Sequence, residues 1–341
     1  MIYLETEEYE LDGKFQELPG FDAQYQNIVD YILKITEEIW EKRAVWLIYD
    51  TYKDNIVIQA GSIKTKGVET VVRDTLFTLS AFPDRKMEGE SVIWSKDQGT
   101  AFHTSHRIFS HATNKGKTRY GIASNKNVKF RTIADCVIKS NKIMEEWLVR
   151  DNLSLIEQMG FDPFEESKKD NRYRDNSSLE LIPSVDINSD KTPLEHFLQS
   201  LFRRVYSARL FSDLNKFYHN KAVVHGIKNN DHDIASFQNH LIEVLNCFSK
   251  QEVVLERITV NKKQKNKEEC AVRWVLTAVH VKDGFFGKPS GKKIIIRGIS
   301  HYIILENKIS EEWMVFDGYD ILCQINSKMN KEILCGAVSQ N

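Results

Sequence analysis

The chain has 341 residues, of which 41% are hydrophobic and 28% charged, with 47 Lys and Arg against 48 Asp and Glu. This length predicts two domains of ordinary size, and a formal net charge of −1 gives no general attraction to nucleic acid or an anionic membrane. No apolar run reaches 18 residues, the acidic start lacks a signal-peptide pattern, and Cys136, Cys247, Cys270, Cys323 and Cys335 show no CxxC spacing, so reduced thiols and a cytoplasmic location are expected.

Apolar residues at helical spacing (Ile28, Tyr31, Ile32, Ile35, Ile39, Trp40) predict one amphipathic helix over 22–47, or two joined by a bend. A strand is predicted over 56–60, then a helix over 67–81 that Phe82-Pro83-Asp84 stops, because proline cannot continue the hydrogen-bond ladder. Strands follow over 88–94, 100–111, 128–140 and 143–151; in the second of these Phe102, Thr104, His106, Ile108 and Ser110 share one face. A polar stretch with three prolines reads as a linker, and the apolar patch 179–185 inside it is expected to dock as a short strand. The order then returns: helix over 194–217, strand 222–225, helix 234–248, and strands 253–260, 270–282, 293–306 and 309–317. The lysine-rich run 262–267 reads as a charged hairpin tip inserted into the second unit.

The return is literal. Asn141-Lys142-Ile143-Met144-Glu145-Glu146-Trp147-Leu148-Val149-Arg150-Asp151 matches Asn307-Lys308-Ile309-Ser310-Glu311-Glu312-Trp313-Met314-Val315-Phe316-Asp317 at eight of eleven positions, 166 residues on. The same offset pairs Arg43 with Arg209, Tyr52 with Tyr218, Arg131 with Arg297 and Gln158 with Gln324. A period this long indicates a duplicated domain rather than a solenoid unit. The expected organisation is therefore a domain at 1–162, a linker at 163–193 and a diverged second domain at 194–341, both α+β, each with its own dry core.

The element order, with Ala81-Phe82-Pro83-Asp84 closing the second helix and Lys-Ile-x-Glu-Glu-Trp-x-Val-x-Asp on the last hairpin, resembles the SnoaL-like polyketide cyclase family. That family belongs to the nuclear-transport-factor-like superfamily of cone-shaped domains. The resemblance implies two tandem cones, each a cystatin-like α+β roll with N-terminal helices packed on a curved antiparallel sheet. It also implies aldol- or Claisen-type ring closure of a small ester, with no metal and no cofactor. A carboxylate in the cone would take a proton alpha to a carbonyl: by motif Asp151, and Asp317 in the second copy. The first unit is the closer match, because it keeps Phe82-Pro83-Asp84 and Gln158-Met159-Gly160.

The candidate site residues follow from strand parity. Asp151 lies four residues after Trp147, so both are expected on one face, with the indole desolvating the carboxylate and raising its pKa; the alternative is a strand-end or turn residue. His103 and His106 point to opposite faces, so only one can enter the cone. With an insertion of four allowed for, His103 aligns with Arg273. Asp135 matches His301, each four residues after an arginine (Arg131, Arg297), so an internal salt bridge competes with a polar pair inside the cone, to which His225 would contribute in the second unit. Tyr52 and Tyr218 are candidate oxyanion donors or packing residues, and with Trp147 and Trp313 complete the expected pocket lining. The adjacent Glu145, Glu146, Glu311 and Glu312 are assigned no catalytic role. Three readings stay open: a cofactor-independent cyclase, isomerase or lyase acting on a small hydrophobic carbonyl ligand; a non-catalytic carrier of such a ligand; and a scaffold fusing the halves of an ancestral dimer into a pseudo-dimer. Domain pairing within the chain is expected, with a homodimer as a further option.

Overall fold

A computed structural model describes residues 8–9, 14–97, 99–170, 192–227, 230–263 and 267–327; the apolar patch 179–185 lies outside them. After a two-residue strand β1 (Glu8–Tyr9), Asn27 starts α1 (Ile28–Trp40), its side chain accepting the Asp30 amide while Ile28, Tyr31, Ile32, Ile35 and Ile39 are buried together. Of the two alternatives for 22–47, the chain takes two helices joined by a bend. Arg43 adopts a left-handed φ of 60°, its guanidinium donates to the Pro83 carbonyl, and the chain restarts as α2 (Leu47–Thr51). The first domain continues through β2 (Tyr52–Ala60), β3 (Ile63–Lys66), α3 (Val68–Ala81), β4 (Lys86–Lys96), β5 (Phe102–Thr113), β6 (Asn127–Lys139), β7 (Lys142–Arg150) and α4 (Asn152–Met159). The sheet order is β3-β2-β7-β6-β5-β4, antiparallel except where β2 runs parallel to β7.

A short helix α5 (Pro163–Lys169) occupies the start of the expected linker and packs on the last helix of the chain. The second domain comprises α6 (Pro193–Leu201), a π-helical turn (Phe202–Ser207), α7 (Leu214–Phe217), β8 (Tyr218–Ile227), β9 (Asn230–His232), α8 (Ile234–Leu245), β10 (Phe248–Lys263), β11 (Lys267–His280), β12 (Lys293–Leu305), β13 (Lys308–Phe316) and α9 (Gly318–Asn326). Its sheet reads β1-β10-β11-β12-β13-β8-β9, the first sheet's order with the N-terminal strand added in parallel beside β10. No helix among the described residues is long and apolar enough to cross a membrane.

Duplication extends to single hydrogen bonds. Arg209 repeats the positive φ of Arg43, and Asn307 that of Asn141. The Gln158 amide holds both the N–H and C=O of Lys129, and Gln324 holds those of Ile295. Lys142 donates to the Tyr49 carbonyl, and Lys308 to that of Asn215. Arg107 faces Ile133 across the first hairpin, as Arg273 faces Ile299 across the second. The offset of 166 therefore persists beyond the lysine-rich run, which is not an insertion, and Arg273 corresponds to Arg107 rather than to His103.

The two sheets meet through their outer faces. Ile133 and Val149 pack with Ile299 and Val315, their duplicates, in one small apolar cluster. Around it, the Arg107 guanidinium lies 3.6 Å from the Trp313 ring centre, and Arg273 lies 3.6 Å from that of Trp147. Each arginine is anchored in its own domain, on Glu90 and Glu256 respectively, at 3.1 Å. The expected pair of separate cores is corrected in part. The interior of the second domain is continuous with Phe130, Leu153 and Tyr120 of the first through Tyr319 and Ile321, whereas α1 closes over a core of its own.

Candidate functional site

Between α1, α3 and the inner face of the first sheet lies a cavity of about 730 Å³, large enough for a whole small molecule. Its walls include Ile35 of α1, Val71 of α3, Ile108 of β5, Ala134 of β6 and Leu148 of β7, and its rim takes in Lys169 and Asp170 beside α5 with Asp317 and Tyr319 from the second domain. Small or slender residues keep it open. At the same sequence offset, Thr36 becomes Phe202, Ile108 becomes Trp274, Cys136 becomes Tyr302 and Arg150 becomes Phe316. In the second domain Phe202 stacks on Tyr206 at 4.8 Å, and Trp274 packs 5.9 Å from Phe202. Trp274 also lies so close over Gly298 that a Cβ there would overlap its indole. Among the described residues, Phe202, Tyr206 and Trp274 thus pack together inside the second cone.

The open cavity contains polar groups that an apolar wall cannot satisfy. Glu146 on β7 is 9% exposed; burial raises its pKa to about 7, and the hydrogen bond from Tyr52 offsets only part of that rise. The same pair recurs in the filled cone, where Tyr218 donates to Glu312 at 2.5 Å; burial again lifts the carboxyl to about 7. His106 on β5 is buried with its Nε2 unpartnered, and burial, helped by the Arg107 charge, lowers its pKa to about 4, so the ring is neutral. Arg85, just after α3, donates through Nε and Nη2 to Ser110 Oγ, at 3.2 and 2.9 Å; among the described residues its Nη1 has no partner. Arg150, at the end of β7, donates to Thr132 Oγ1 at 3.4 Å.

The other expected site residues lie elsewhere. Asp151 is not on the strand: it N-caps α4, accepting the Ser154 amide at 3.0 Å, and Asp317 likewise caps α9. Asp317 does reach the cavity rim, where burial and then the neighbouring Asp320 charge raise it to about 7. Trp147 and Trp313 do not line the cone; they face the other domain beneath Arg273 and Arg107. His225 stacks on Trp313 at 4.6 Å and bonds Asp231 and Glu311. Asp135 is not salt-bridged to Arg131, which binds Glu90 instead.

At the domain interface, Arg107 Nη1 approaches His301 Nδ1 at 3.3 Å; a guanidinium only donates, so Nδ1 accepts and Nε2 carries the proton. That proton points to Ser105 Oγ at 2.7 Å, and Ser105 in turn donates to Asp135, which also takes Arg273 at 3.2 Å. Burial alone would raise Asp135, but His103, Arg273 and Ser105 outweigh it and hold the carboxyl down at about 2. His103 lies 3.5 Å from that carboxylate, with burial and Arg257 lowering it to about 4. Arg107, His301, Ser105, Asp135 and His103 are all buried, and the Arg273 side chain at the end of the chain is 11% exposed.

Residue reasoning passed over Glu146 because Trp147 beside it set the parity. A register shift between Ile143 and Glu145 turns Ile143, Glu146 and Leu148 all towards the cavity. The repetition of both Tyr52/Tyr218 and Glu146/Glu312 was the available signal.

Comparison with known proteins fits this architecture. The family model for SnoaL-like polyketide cyclases matches residues 31–159 and again 196–325. Similar solved structures include a SnoaL-like polyketide cyclase from Agrobacterium tumefaciens, at 18% identity over 40% of this chain and 99% of that one, with a TM-score of 0.33. TsrD from Streptomyces laurentii is 14% identical over 39% of this chain and 94% of its own, with a TM-score of 0.35. No curated protein matches the chain.

Proposed function

Since the chain belongs to the SnoaL-like polyketide cyclase family, we propose that its first domain catalyses cofactor-independent proton transfer on a small apolar carbonyl compound, leading to aldol-type cyclisation, isomerisation or dehydration. The observation that carries this reading is the buried carboxyl of Glu146, which lines the interior wall of a large cavity between β7 and α1 and titrates at about 7. A base with that pKa is partly ionised at neutral pH and strong enough to take a proton alpha to a carbonyl. Tyr52 holds the carboxyl in place. Neutral His106, on the adjacent wall, is suited to donate to the enolate oxygen as charge develops. Asp151, a helix cap, yields the role of base to Glu146. The second domain serves as the partner half of a pseudo-dimer and supplies part of the rim.

Replacing Glu146 with Gln preserves volume and hydrogen bonding but removes the base. Against a panel of small β-keto esters, kcat/KM should fall at least about 100-fold; undiminished turnover would remove Glu146 from the mechanism. One observation favours a second reading. The Tyr218–Glu312 pair persists in a cone packed with Phe202, Tyr206 and Trp274, as a purely architectural pair would. If that holds for Tyr52–Glu146 as well, the first domain is a ligand carrier, and no ester in the panel would be turned over faster than in buffer.

A further inference from the structure

Arg85 and Arg150 have no counterparts in the filled cone, where Gln251 and Phe316 stand in their places. Both guanidiniums lie against Phe130, 5.1 and 5.2 Å from its ring centre, and Arg85 also lies 4.8 Å from the ring of Trp40. Phe130 is fully buried and Arg85 is 7% exposed. Among the described residues neither arginine has a carboxylate partner, and Arg85 Nη1, which has no acceptor at all, belongs to a residue lining the cavity. Glu41 acts on Arg85 and Asp317 on Arg150 only at longer range, so a buried and a partly buried guanidinium stand together with no carboxylate in contact, an unfavourable arrangement for a folded protein. It becomes favourable when an anion is delivered to them, and a planar fork with a spare N–H matches a carboxylate.

We propose that the ligand of the first cone carries a carboxylate, bound by Arg85 Nη1 and Arg150, with an apolar body lying along Ile35, Val71 and Leu148. The substrate class is thus narrowed from a neutral carbonyl compound to an amphipathic organic acid. The inference rests on the cavity being the ligand site, as the proposed function also does, but not on Glu146 being a base.

The test is calorimetric titration of the full chain with decanoate, decanol and decyl phosphate at low and moderate salt. Decanoate should bind about tenfold or more tightly than decanol. Arg85→Gln should abolish that preference and leave decanol binding unchanged. Arg85→Lys, which keeps the charge, should retain part of the preference and serves as the control for folding. Equal affinity for decanoate and decanol, no binding of either, or a preference that survives in Arg85→Gln overturns the proposal. Tighter binding of decyl phosphate than of decanoate overturns the carboxylate assignment in favour of a phosphate. Keto-ester turnover that depends on Glu146 without a decanoate preference would sink this inference alone. A decanoate preference without such turnover would sink the catalytic reading alone.

Discussion

Glu146 carries a thermodynamic signature separate from any activity. Its folded pKa of about 7 stands above the ordinary 4.5 because burial favours the neutral form. Such a group contributes stability that is complete below about pH 4.5 and is lost as the pH rises through 7. His103 and His106, both lowered to about 4, act in the opposite direction: their contribution is present above about pH 6.5 and lost as the pH falls through 4. The two trends overlap, so the wild-type curve conceals each of them. The difference between Glu146→Gln and wild type isolates one. Relative to wild type, the variant should gain on the order of 2–3 kcal/mol between pH 5 and pH 8, read from urea midpoints; a pH-independent difference would mean that the carboxyl titrates normally. Strand alternation along β5 separated His103 from His106 in the sequence, and His106 lines the cavity. The sequence concealed Glu146, because one register shift in β7 reverses the parity on which that arithmetic depends.

Among the elements, the outer faces of β5, β6, β11 and β12 show what fusion permits. In a symmetric pair, the position held by Asp135 and His301 would carry the same residue twice, and so would that of Ser105, whose counterpart in this chain is Ala271. Here Asp135 is an anion and His301 a neutral imidazole, joined through Ser105. His301→Asp would place a second carboxylate in that buried chain, and a loss on the order of 3–5 kcal/mol is expected by urea denaturation; a change below about 1 kcal/mol would show that the site accommodates two acids. The filled cone offers a parallel test. Trp274→Ile, which installs the residue found at Ile108, should lower stability by about 3–5 kcal/mol, because Gly298 beneath it cannot fill the space. Element order, the duplication and the strand–helix spacing were readable because they rest on periodicity and local stop signals. A bend within 22–47 was one of two alternatives, but its place at Arg43 was not readable, because it depends on a hydrogen bond to Pro83; nor were the helices α4 and α9, which depend on caps whose aspartates look like strand residues. Nor could residue patterns say which cone is open, since that depends on how Trp274, Phe202 and Tyr206 stack across three elements.

For the whole molecule, the reciprocal Arg–Trp contacts and the shared Ile133–Val315 cluster predict that the halves associate without a covalent link. Co-expressed as residues 1–170 and 192–341, they should copurify as a one-to-one complex through size exclusion; two independently eluting species would count against an intrinsic interface. The joined chain gains from effective concentration, so the split complex should melt lower and in a concentration-dependent manner. A consequence follows from the first cone being hollow while aromatic side chains pack the second among the described residues. An empty chamber lined with unpaired charge is a burden on any fold, and a symmetric assembly carries it in both subunits. This chain carries it once, beside a solid neighbour with no chamber to maintain. The solid half can therefore act as a stability reserve, leaving the hollow half freer to change its lining, and its chemistry, without unfolding.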